Sequence, residues 1–196
     1  MEGGEETNIQ KHEQSKGLTL NFKIHGNVRK EIPQEVTNTV KDVFDYMKYQ
    51  GEPPQRIVIW EDGLKLPSGE PIAGAYGFDK QGEPGFIKID VKLAQKQFKT
   101  TDIPLPAEVA VAIVAAHEAV EHVNFMRGKP VLISNSIVST EVHRNSKTEQ
   151  EANRTAREII RRRYGRVVYF GDELTPKNKL LGLVNTISSR LRQKQT

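Results

Sequence analysis

The chain has 196 residues, no cysteine, 36% hydrophobic and 28% charged residues, and a formal net charge of +4. That length suits one domain. The missing cysteines exclude a disulfide scaffold, a thiol nucleophile and any Cys-ligated zinc or iron–sulfur site. The charge is uneven: residues 154–196 hold eight Arg and three Lys against three acidic residues, a net of +8, while residues 1–153 carry −4. A basic end of this kind attracts an anionic partner such as nucleic acid or an anionic membrane, unless it is only a solvated helix face.

Taken in chain order, residues 1–17 are polar and are expected to be a disordered tail. They contain no apolar h-region, so a cytoplasmic location is expected. No run of 18 apolar residues occurs, so no membrane span is expected. Residues 18–24 alternate in polarity and read as a strand. Pro33 then opens a helix whose apolar face is Val36, Val40, Val43, Phe44 and Met47, ended by Gly51 and Pro53-Pro54. Arg56–Trp60 is a short apolar strand, followed by a loop-rich stretch at 61–71. Residues 72–78 and 86–91 form two further strands joined by a turn at 79–82. Gly74, Gly77, Gly82 and Gly85 suit hairpin geometry and make no phosphate-loop pattern.

Residues 107–127, rich in Ala and Val, form the strongest helix, with Pro106 at its start and Gly128 and Pro130 after its end. A strand-like or loop stretch at 131–142 leads to a helix from near Ser146 to about Tyr164. A last strand is expected at 167–170. A basic helix follows from near Pro176, with Leu180, Val184, Ile187 and Leu191 on one face. Clustered strands followed by clustered helices define an α+β class. The organisation expected is a tail at 1–17, a domain at 18–170 and a basic C-terminal helix at 171–196.

The strongest helix carries the chemistry. His117, Glu118, Glu121 and His122 put four titratable side chains into an otherwise apolar segment. Burying them unpaired is costly, and a metal ion is one partner that satisfies them. Successive residues turn by about 100° on a helix, so His117 and Glu121 share a face, and Glu118 and His122 share the neighbouring one. His117 and His122 point about 140° apart and could meet one metal only through a π-bulge or a helix end. The zinc motif His-Glu-x-x-His holds the metal with two histidines while its Glu activates a bound water. Here Glu121 stands at the second histidine position, and His122 follows one residue late. A carboxylate can ligate zinc, and in place of an imidazole it hardens the site toward other divalent ions.

A third ligand would come from residues 148–156, where Glu149, Ala152, Asn153 and Ala156 match Glu-x-x-Ala-Asn/Asp-x-x-Ala. With that second pattern, residues 33–164 resemble a small gluzincin of the zincin metallopeptidase clan. Glu151 makes the chain most similar to small intracellular peptidases that cut repressors of mobile elements. The resemblance implies a zincin-like fold, with a small mixed sheet packed on the metal-site helix and further helices after it. It implies one zinc or other divalent ion per chain, held by His117 and Glu149 with Glu121 in the place of the second histidine, or His122 as its substitute. It implies Glu118 as the general base in peptide-bond hydrolysis, and the strand at 86–91 as an edge strand that pairs with a peptide or protein substrate.

Other readings stay open for the same residues. Ser146 to Glu149 is a capping box that alone would account for Glu149. Glu118 and His122 could be a surface i, i+4 pair. Glu121 could pair with Arg127 or with the Arg154, Arg157 and Arg161 face, and His117 could be a core histidine. His143, Tyr164 and Tyr169 are further candidates as a substitute ligand or as oxyanion donors. With the altered motif, the alternative function is a non-catalytic binding protein for a peptide, a protein or nucleic acid.

Overall fold

The computed structural model describes residues 18–66, 69–78, 84–98, 105–130 and 146–165. The expected tail at 1–17, the turn at 79–82, the segments at 131–142 and 167–170, the basic helix after 170, and with them His143 and Tyr169, lie outside these residues. In chain order the elements are β1 (Phe22–His25), α1 (Glu31–Met47), β2 (Arg56–Trp60), β3 (Gly74–Phe78), β4 (Pro84–Asp90), α2 (Val91–Gln97), α3 (Ala107–Met126) and α4 (Lys147–Tyr164).

Four strands make one sheet in the order β1-β2-β4-β3. β1, β2 and β4 run parallel, with Ile24 opposite Ile59 and Ile59 opposite Ile89. β3 pairs antiparallel with β4, with Tyr76 opposite Ile87. Parallel neighbours need a crossover connection, and α1 supplies it between β1 and β2. The fold is thus α+β with a small mixed sheet and four helices among the described residues.

β4 is not the edge strand that the sequence suggested: it lies between β2 and β3, and β3 forms the edge. The reason is apolar. Ile87 and Ile89 are fully buried, whereas β3 is built around Gly74 and Gly77 and has less to lose at an edge. Nor does the strand include Val91. Asp90 ends it by capping α2, its Oδ1 accepting from the Leu93 N–H at 2.8 Å while Oδ2 accepts from the Leu64 N–H at 2.9 Å.

α1 starts two residues before Pro33, so the proline sits in the first turn, where its missing N–H costs nothing. Ile32, Val36, Val40, Val43 and Phe44 bury its apolar face. It ends at Met47, earlier than the glycine and prolines suggested, because Lys48 adopts the left-handed conformation (φ 50°) and closes the helix. α3 is apolar all round and packs against α1, α2, α4, β3 and β4. By length and mean hydropathy (1.2) it is able to cross a bilayer, yet 83% of that window is buried inside the protein, as in a core helix. Each fully buried Ile of this core contributes about 1.5–3 kcal/mol.

α4 begins at the Ser146 cap, whose Oγ accepts from the Glu149 N–H at 3.1 Å, and ends at Gly165 in the left-handed conformation (φ 61°). Ala152 and Ala156 are fully buried on its inner face. Their small side chains let α4 lie close along α3, which brings Glu149 within reach of His117.

Candidate metal centre

Three side chains of α3 converge. One ligand atom each from His117, Glu118 and Glu121 lies within 4.8 Å of the others, so the cluster could hold a metal ion. Glu149 joins from α4. His117 Nε2 is 3.9 Å from Glu121 Oε1 and 3.5 Å from Glu149 Oε2. Two donors that share one ion at about 2.0–2.2 Å in tetrahedral geometry stand roughly 3.3–3.6 Å apart. The His117–Glu149 spacing fits a shared ion, and the His117–Glu121 spacing is slightly longer than that range. Glu118, assigned by resemblance to the base and not to the ligands, stands as close to His117 and Glu121 as a ligand would. The side chains of His117, Glu121 and Glu149 are 14%, 8% and 12% exposed, so the seam between α3 and α4 is nearly closed to solvent.

The electrostatics are those of too many carboxylates in a dry place. Burial pushes the His117 imidazole down. The hydrogen bond with Glu149 and the charges of Glu118, Glu121 and Glu149 outweigh burial and raise it to about 10. Glu118 is pushed well above the usual carboxylate range by burial, then by the Glu121 charge, against the pull of His117. Without an added cation, the cluster thus favours a proton on His117 and raises the proton affinity of Glu118. A divalent ion supplies the same compensation with charge.

Two asparagines border the seam. Asn153 Nδ2 donates to Glu149 Oε1 at 3.3 Å, one turn along α4, and so orients the carboxylate. Asn124, fully buried one turn after Glu121, donates from Nδ2 to Glu151 Oε2 at 3.2 Å. That carboxylate also takes Lys129 Nζ at 2.8 Å. The capping box is half used: Ser146 caps the Glu149 N–H, but the Glu149 carboxylate turns to His117 and Asn153.

His122 is not brought to the cluster. Its Nε2 meets the Glu52 carbonyl at 2.8 Å and its Nδ1 the Tyr76 hydroxyl at 3.3 Å. The ring lies among Phe44, Tyr49 and Tyr76. Its pairing with Glu118 and its place as a substitute ligand both give way to this pocket: it points about 140° away from His117 on the helix, and although it shares a face with Glu118, both ring nitrogens are taken by Glu52 and Tyr76. Tyr164 is also away from the cluster, donating to the Glu35 carboxylate of α1. Arg127 donates to the Met47 carbonyl at 2.7 Å, and Arg161 pairs with Glu158 at 2.8 Å.

Besides Asn124, two residues near the site escape the sequence pattern. Gly74 fits hairpin geometry, but its reason is contact: a Cβ there would overlap Val114 Cγ1 and come within 2.8 Å of Glu118 Oε1. Only glycine lets the edge strand run this close to Glu118. Tyr76 is fully buried, and its hydroxyl is raised by burial and then by the Glu121 charge. The small neighbours Gly74, Ala75 and Gly77 are the one sequence signal that β3 lies tightly against something.

Compared with protein families, curated proteins and solved structures, the chain gives no match in any of the three. The class of the site therefore rests on its own geometry: a buried cluster of one histidine and several carboxylates that could hold a metal ion.

Proposed function

We propose that the chain is a metal-dependent hydrolase of peptide bonds on a zincin-like scaffold. The observation that carries this reading is the convergence of His117, Glu121 and Glu149 from two helices, with Glu118 beside them. In this reading His117, Glu121 and Glu149 hold one divalent ion. When bound, that ion supplies Lewis acidity, polarising a carbonyl oxygen and making a water acidic enough to attack near neutral pH.

Glu118 takes the proton from the attacking water and delivers it to the leaving amine nitrogen. Burial and the Glu121 charge raise its proton affinity, which suits a group that must both accept and return a proton. β3 supports the choice of substrate. Among the described residues no strand covers its outer edge, and Gly74 brings that strand against Glu118. An extended peptide adding to β3 by main-chain hydrogen bonds would pass beside the base.

The test is elemental analysis of protein purified without chelator, joined to cleavage of an unstructured peptide mixture. About one equivalent of metal is expected, lost in His117→Ala and Glu149→Ala. Glu118→Gln should keep the metal and lose turnover by at least about a hundredfold. Full turnover in Glu118→Gln would sink the mechanism, and loss of metal in it would make Glu118 a ligand.

One observation favours a second reading, a binding protein without catalysis. Protonated His117 already offsets one of the two carboxylate charges of Glu149 and Glu121, so part of the compensation is present without an ion. That reading expects no stoichiometric metal and no effect of chelators on Tm.

A further inference from the structure

We infer that this centre narrows the ordinary advantage of zinc over hard, oxygen-preferring divalent ions of the manganese(II) kind, and that Glu121 sets this shift. The inference rests on the metal-centre reading above and adds the selectivity of the same site.

The first support is the donor count. Among the described residues the cluster has one imidazole, His117, against three carboxylates. The second is that the other imidazole on α3 is committed elsewhere. A backbone carbonyl only accepts, so His122 Nε2 carries the proton given to Glu52. Its Nδ1 lone pair then accepts the Tyr76 O–H. A ring engaged at both nitrogens and packed between Phe44 and Tyr76 has no lone pair to offer a metal.

The third support is the oxygen around the seam. A carboxylate likewise only accepts, so Asn124 must turn its NH2 to Glu151, which fixes the amide and leaves Oδ1 as a buried acceptor. That Oδ1 has no hydrogen-bond donor among the described residues, and neither has Asn153 Oδ1. Both are hard oxygen acceptors at the border of the seam.

Catalytic zinc sites commonly have two or three nitrogen or sulfur ligands. Carboxylate and carbonyl oxygens suit manganese, magnesium and calcium, while imidazole suits zinc. Zinc still binds most sites more tightly than manganese. The inference therefore concerns the ratio: Glu121 narrows the ordinary advantage of zinc.

The experiment is competition dialysis of the stripped full-length chain against equal free concentrations of Mn²⁺ and Zn²⁺, with bound metal read by mass spectrometry. In the native protein manganese is expected at no less than about a tenth of the zinc occupancy. Glu121→His should raise the zinc-to-manganese ratio about tenfold or more. Glu121→Gln, which changes shape least, should weaken manganese more than zinc and serves if Glu121→His does not fold.

Zinc with no measurable manganese in the native chain would overturn the inference and leave the metal centre standing. So would an unchanged ratio in folded, metal-loaded Glu121→His. No bound metal of either kind would overturn the metal-centre reading itself.

Discussion

Five positions separate His117 from His122, and on a helix that is enough to send one imidazole into the carboxylate seam and the other into an aromatic pocket. Their pKa shifts run in opposite directions. Burial lowers His122, only partly opposed by its bond to the Glu52 carbonyl. A depressed histidine favours the fold fully above its unfolded value of about 6.5, and that stability is lost as pH falls through the folded pKa. His117 is raised to about 10 in the metal-free protein, so its stability is present below about 6.5 and is lost as pH rises toward 10. Denaturant melts of metal-free protein should therefore weaken on both sides of neutrality. His122→Gln should flatten only the acid limb and His117→Ala only the alkaline one. His122→Gln should also leave metal content unchanged, and a loss of metal there would return His122 to the ligand set.

At the scale of elements, β3 and α3 are fitted to each other at Gly74. Gly74→Ala forces the strand away from Val114 and Glu118. It should cost about 1–3 kcal/mol in denaturant melts, and turnover should fall further than stability because the strand no longer passes beside Glu118. Equal losses of stability and turnover would reduce Gly74 to a packing role.

The three long helices were legible because each carries its own local signal. Val36 to Met47 marks α1, the Ala/Val run marks α3, and Ser146 with Gly165 brackets α4. Sheet order was not legible, because strand pairing is a tertiary choice: nothing inside 86–91 says that Ile87 and Ile89 are covered on both sides. α2 went unread because its signal is one buried Asp90 cap after a strand that seemed to continue. Within the site, helical rotation separated His117 and Glu121 from His122 in the sequence itself. The contributions of Asn124, Tyr76 and Gly74 needed the packing of α4 and β3.

Across the whole molecule, α4 is fastened at both ends. Near its start, Glu149 meets α3. At its end, Arg163 reaches Asp42 at 2.6 Å and Glu35 at 2.7 Å on α1, and Tyr164 donates to Glu35. Arg163 is 23% and Glu35 17% exposed, so the pair is partly shielded from water. Arg163→Met should cost about 2 kcal/mol by leaving carboxylates half-buried and unpaired. If the metal centre is as proposed, the same variant should bind metal more weakly in titration, since Glu149 depends on the seating of α4. Unchanged affinity would mean that the Ala152 and Ala156 contacts alone seat the helix.

α3 is the helix on which the sheet, α1, α2 and α4 all pack, and it is also the one that presents the cluster. In a chain built this way, melting the interior also takes the cluster apart. On heating, any captured ion should therefore leave no later than the midpoint where the interior melts. For the same reason, a drift in sequence that loosened the interior would erase the chemistry together with the fold.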